Sequence, residues 1–251
     1  MIRVIASREF RSLFLSPMAW TILALLQFIL AFLFLSQVET FLTLQSKLAT
    51  IEGAPGLTDI IVTPLFGNAA IILLLVTPLL TMRLVCEERR NKTLALLLSA
   101  PVSSTDIVLG KYLGLLGLLL MMVLMMTVMP LSLLVGGELD PGKLAANMLA
   151  LLLLVMAFSA IGLFMSCLAG HPTVAAISSF SSLLLLWILV DLAPAVVGQY
   201  SPPFEYLSTL RHFQAIQSGL ISSVDVIYFL LFITTFIVLS IRRLDNDRLQ
   251  K

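Results

Sequence analysis

Charge is the scarcest property of this sequence. Only 12% of its residues are Asp, Glu, Lys or Arg, while 59% are hydrophobic. A soluble domain carries about a quarter charged residues, so this chain has too few to cover a water-facing surface and falls in the membrane class. The charges nearly cancel, leaving a net of +1, so bulk basicity gives no pull toward nucleic acid. Cysteine is limited to Cys86 and Cys167, each at the end of an apolar run. Two such thiols build neither a disulfide framework nor a metal-ligand cluster; they read as small packed side chains. Histidine is limited to His171 and His212, expected on opposite sides of the membrane. No nucleophile–base pair is visible. A phosphate-binding loop is also missing. Gly110-Lys111 resembles the end of one, but Tyr112 follows where Ser or Thr should hold magnesium, and Thr105 stands in place of the first glycine. An enzyme acting alone is therefore not expected, and no metal or cofactor is expected in this chain.

What the chain has instead is long hydrocarbon runs. About 20 apolar residues cross a bilayer as a helix. Six runs qualify or come close: 18–38, 65–85, 107–135, 144–168, 174–190 and 226–241. The first is too long for a signal-peptide core and lacks a small-residue cleavage site after it. With the N-terminus in the cytoplasm, Arg3, Arg8, Arg11, Arg83, Arg89, Arg90, Lys92, Lys111, Arg242, Arg243, Arg248 and Lys251 lie inside. Only Lys47, Lys143 and Arg211 lie outside. This is the asymmetry of the positive-inside rule. Both termini are then cytoplasmic. Trp20 and Tyr112 are expected at inner interfaces, Trp187 and Tyr228 at outer ones.

The span interiors are nearly free of charge, unlike ion-coupled carriers, which carry their relays there. Arg83, Lys111 and Asp191 fall near span ends, within reach of the interface. Ahead of the first span, residues 1–16 place Ile2, Ile5, Ala6, Phe10 and Leu13 on one helical face and Arg3, Ser7, Arg8 and Arg11 opposite. That pattern predicts a helix lying in the membrane surface, its basic face toward anionic headgroups. The segment 191–224 mixes aromatic and polar residues at helical spacing after Pro194, Pro202 and Pro203, and reads as short interfacial or re-entrant helices.

Between the second and third spans lies a compact charged segment, "EERRNKTLALLLSAP". A helix over 84–98 would pair Glu88 with Lys92 and Glu87 with Arg90. Pro101 ends it, and Ser103 with Asp106 has capping-box spacing before the third span. A leucine-bearing connector held at the cytoplasmic face offers a docking surface. Glycines 110, 114 and 117 suit close helix packing.

"PLLTMRLVCEERRNKTLALLLSAPVSSTDIVLGKYLG" resembles the signature region of ABC-2 type permeases, closest to the branch that includes gliding-motility and nitrous-oxide-reductase-maturation permeases. Pro78, Met82, Arg83, Glu87, Glu88, Arg89, Thr93, Leu96, Leu97, Pro101, Val102, Ile107, Gly110 and Lys111 carry the match. "AIGLFMSCLAGHPTVAA", "REFRSLFLSPMAW" and "YLSTLRHFQAIQSGLISSVDVIYFL" extend it, the last through His212-Phe213, Gly219, Asp225-Val226 and Tyr228-Phe229. Two positions depart: Lys92 stands where the family has Gly, and Ala95 where many members have Glu.

The resemblance implies an all-α polytopic membrane protein with six transmembrane helices in a type V exporter-like architecture. It implies an N-terminal elbow helix bearing Arg3, Arg8 and Arg11. Segment 86–106 would couple to an ATPase through Glu87, Glu88, Arg89, Arg90, Thr93, Leu96, Leu97 and Pro101. Segment 191–224 would form an outer gate with His212, Phe213 and Gly219. The partners it implies are two cytoplasmic ATPase subunits, which hold the ATP and magnesium, and a second permease copy or paralogue in the bacterial inner membrane. The expected function is ATP-driven transport, in the export direction. The rival readings are a platform transmitting force to a periplasmic partner, and an ion-coupled carrier.

Overall fold

The computed structural model describes residues 1–48, 56–93, 102–135, 139–197, 208–219 and 222–249, and among them there is no strand. Helix α1 spans Ile2–Leu15 and α2 Pro17–Leu48. Ser16 turns to an extended conformation between them, and Pro17 opens α2, where its missing N–H costs nothing. The apolar run alone predicts a helix ending near 38. It continues to Leu48 because 39–48 is rich in helix formers and lacks Gly and Pro. Thr40 and Thr43 turn their hydroxyls back onto the carbonyls of Ser36 and Thr40.

A π-helical turn, Thr58–Val62, leads into α3, Thr63–Thr81. The span expected to reach 85 stops at Thr81, and after a turn the short helix α4, Cys86–Arg90, follows. Helix α5 is Ser104–Leu131, followed by a 3-10 turn, Ser132–Val135. The Ser103 cap forms as expected. Its Oγ accepts from the Asp106 N–H at 3.0 Å and donates to the Asp106 carboxylate at 2.9 Å. Helix α6 is Pro141–Leu168, capped by Asp140. Helix α7 is Pro172–Val197, α8 is Thr209–Gln217 and α9 is Ser223–Leu249. The 226–241 run, short for a span, becomes comfortable because α9 continues through Arg242 and Arg243.

Among the described residues five helical segments have the length and apolar composition to cross a membrane: Pro17–Gln45, Thr58–Arg90, Ser104–Leu134, Pro141–Leu168 and Ser223–Leu249. Helix α7 adds the apolar stretch Pro172–Ile188. Helix α6 is the hub, packed on α3, α5, α7, α8 and α9. Its crossing with α3 depends on Gly162, where a methyl would lie 2.7 Å from Cβ of Thr81. Small residues of this kind let membrane helices approach without a gap.

Helix α1 packs part of its apolar face on α5, while Val4, Phe10 and Leu15 stay exposed. Methyl groups at Gly110, Gly114 and Gly117 would meet Ile5, Glu9 and Phe10 in turn, at 2.7, 2.7 and 2.8 Å. The glycine stripe thus does the close packing its spacing suggested, and its partner is α1. Tyr112 departs from expectation. It is buried, and its hydroxyl donates to the Met156 carbonyl of α6 at 2.9 Å. Trp20 remains exposed.

Candidate functional site

Helix α4 begins where the α3 ladder has broken, so its first N–H groups need partners. Ser166 of α6 supplies one. Its buried Oγ accepts from the N–H groups of Val85 and Cys86, at 3.1 and 3.2 Å, and donates to the Met82 carbonyl at 3.2 Å. The helix ends one turn later in a left-handed cap. Thr93 N–H reaches the Glu88 carbonyl and Lys92 N–H reaches that of Arg89, while Lys92 takes φ 58°. This is a Schellman motif, whose left-handed position favours glycine. It corrects the expected helix over 84–98 and explains the family's Gly at the Lys92 position.

The ion pairs expected along α4 do not form; its charges reach other helices. Lys111 of α5 is only 2% exposed. Its ammonium sits 2.8 Å from Oε1 of Glu88 and 3.2 Å from Oε2 of Glu9 on α1. Burying one ammonium between two carboxylates compensates its desolvation. Arg89 pairs with Asp247 of α9 and donates to the Cys167 carbonyl at 2.9 Å. That carbonyl lies in the last turn of α6, where a cation is favourable. Arg243 adds a 3.6 Å contact to Asp247. So Glu88 and Arg89 are internal braces tying α4 to α1, α5, α6 and α9. Glu87, Arg90 and Thr93 are exposed, as are Arg3, Arg8 and Arg11 of α1. Leu96, Leu97 and Pro101 lie outside the described residues.

At the opposite end of the bundle, α8 buries His212 and Phe213. His212 Nδ1 lies 2.6 Å from the Asp225 carboxylate of α9, and its ring stacks on Tyr228 with centroids 4.0 Å apart. Gln217 donates to the Thr63 carbonyl of α3 at 2.7 Å, and Asn147 of α6 donates to the Gln217 carbonyl at 3.3 Å. Gly219, at φ +90°, makes the turn that leaves α8. Next to it, Lys143 holds Asp59 with both carboxylate oxygens at 2.9 Å. The three residues expected at an outer gate thus share one short helix and its exit, and that helix is pinned to α3, α6 and α9.

Glu9, Asp225 and Asp247 were missed as partners by sequence reasoning. For Glu9 the available signal was Lys111, a lone cation near the start of an apolar run, which has to find carboxylates from other helices. Among the described residues no group of His, Cys, Asp or Glu is arranged to hold a metal.

A bundle of long apolar helices of membrane-crossing length marks a multi-pass membrane protein. More narrowly, the chain belongs to the ABC-2 family transporter proteins, whose family pattern matches residues 3–249. It is thus a permease subunit of an ABC transporter, of a family that works with an ABC ATPase. No curated protein matches the chain.

Proposed function

We propose that this chain forms a six-span permease with both termini in the cytoplasm of a bacterial cell. It works as a dimer with a second permease copy or paralogue, above two ATPase subunits, and moves its substrate outward. The sixth span is α7, and α1 is the elbow. Segment 86–106 is the coupling element, and α8 with its exit at Gly219 is the outer gate. The likeness of residues 78–114 to the gliding-motility and nitrous-oxide-reductase-maturation branch supports placing it there.

The observation that carries this reading is the division of labour along α4. Glu88 and Arg89 are consumed in bracing the helix, whereas Glu87, Arg90 and Thr93 face outward. A helix fixed to α1, α5, α6 and α9 and open on its far side suits transmission of a push from below to the whole bundle. Movement of α4 would be felt at α9, which runs to Asp225 and the His212 pair at the other end.

The test is co-expression with a cognate ABC ATPase. A membrane complex whose ATP hydrolysis exceeds that of the free ATPase is expected. Absence of any complex with ABC ATPases would reject the coupling assignment, and reporter fusions placing the termini on opposite faces would reject the topology.

A further inference from the structure

The α1 and α4 helices flank a polar cleft of about 320 Å³, in which the transport reading uses Glu87 but gives Arg83 no role. Its walls carry Arg8, Glu9, Arg83, Glu87, Glu88 and Lys111, three cations and three carboxylates. Lys111 is satisfied by Glu9 and by one oxygen of Glu88. The other Glu88 oxygen is buried and has no hydrogen bond. Arg83 reaches only the sulfur of Met18, a weak and uncharged acceptor. Neither Arg83 nor Glu87 has an ion pair among the described residues. The cleft thus offers one unmatched guanidinium, Arg83, and one exposed carboxylate without an ion pair, Glu87, a helical turn apart. A purely anionic ligand would be repelled by the carboxylates and a cation by the guanidinium; a zwitterion meets both.

We infer that this cleft holds the headgroup of a zwitterionic phospholipid with a primary amine, of the phosphatidylethanolamine type. The phosphate faces Arg83 and Arg8, and the ammonium faces Glu87. The cleft volume equals that of about ten waters, enough for a phosphoethanolamine group. A primary ammonium donates N–H bonds to carboxylates, whereas a trimethylammonium has none to give. The surroundings favour a lipid source. Ser16 lines the cleft at the α1–α2 junction, and Leu15 and Trp20 beside it are exposed. Trp20 is held by an N–H bond to the Phe14 carbonyl at 2.8 Å, and tryptophan prefers headgroup depth. This placement rests on the inner-face topology proposed above.

The experiment is native mass spectrometry of the purified full chain, without ATPase, in detergent supplied with phosphatidylethanolamine, phosphatidylcholine, phosphatidylglycerol or soluble glycerophosphoethanolamine. The expected result is retention of phosphatidylethanolamine roughly tenfold above phosphatidylcholine, a preference of about 1.4 kcal/mol. Little soluble headgroup should be retained. E87Q, at an exposed side chain, should cut the preference at least roughly fivefold, about 1 kcal/mol. R83Q should do the same and R83K should keep much of it. Equal retention of the two zwitterionic lipids, a preference for phosphatidylglycerol, or an unchanged preference in E87Q overturns the inference. Equal binding of the soluble headgroup overturns the lipid source. With no ATPase in the assay, failure leaves the coupling reading standing.

Discussion

The ammonium of Lys111 lies 2.8 Å from the Glu88 carboxylate, joining the first turns of α5 to α4, and the same ammonium holds Glu9 of α1 at 3.2 Å. One lysine therefore locks three helices. Breaking a buried ion pair from one side costs about 3–5 kcal/mol, because the remaining charges stay buried. K111M should lower the thermal midpoint of the detergent-solubilised protein markedly. The triple variant E9Q/K111M/E88Q, which removes the stranded carboxylates, should recover much of the loss. A triple variant no better than K111M would show that Lys111 acts through packing alone.

Packing of α1 on α5 is tested at Gly114. A methyl there would lie 2.7 Å from Cβ of Glu9 and 2.9 Å from the Ala6 carbonyl oxygen. The carbonyl is backbone and cannot swing away, so α1 has to shift. Overpacking of this kind costs about 1–3 kcal/mol. G114A should make α1 accessible to protease while the rest of the bundle stays protected. Unchanged cleavage of α1 would contradict the docking described above.

Lys92 is the only non-glycine residue with positive φ among those described, at 58°. The left-handed conformation costs about 1–2 kcal/mol for a residue with a Cβ, while glycine loses roughly 0.5–1 kcal/mol more backbone entropy on folding. The first term is larger, so K92G should raise stability by about 0.5–1 kcal/mol, and K92V should lower it. A K92G protein that melts lower than the parent would show that the cap is not formed.

At the other end, His212 and Asp225 pin α8 to α9 at 2.6 Å. D225A removes the carboxylate from this buried contact, a loss of about 1–3 kcal/mol. D225N keeps an oxygen acceptor. Hydrogen exchange across 209–217 should accelerate in D225A and much less in D225N. Equal acceleration in both would mean that the carboxylate charge matters beyond the hydrogen bond.

How far the sequence alone leads differs between the two ends. The apolar runs located the long helices because hydrophobicity and length suffice for a membrane span, and the Ser103–Asp106 cap was legible because its partners are three residues apart. The helix ends at Leu48 and Leu249 were not, since polar helical residues continue a helix after its apolar run has stopped. Glu88 with Lys92 and Glu87 with Arg90 have the i,i+4 and i,i+3 spacing of pairs within one helix, but the partners of Glu88 and Arg89 come from α5, α6 and α9, far away in the chain. Periodicity within one helix is silent on such contacts. His212 was singled out at the outer gate, yet its bond to Asp225 depends on how α8 folds back on α9. The family's glycine at position 92 was visible as a departure, and only the φ of Lys92 gave it a physical cause.

The central claim is that α4 couples the bundle to an ATPase through its exposed face. Arg90 is exposed and makes none of the bracing contacts, so R90E alters that face and spares the fold. The decisive measurement is ATP hydrolysis by the reconstituted permease–ATPase complex, with R90E compared to the parent at equal thermal midpoint. A drop of roughly tenfold in permease-stimulated hydrolysis, about 1.4 kcal/mol, is expected. Full stimulation by a folded R90E permease would contradict the account.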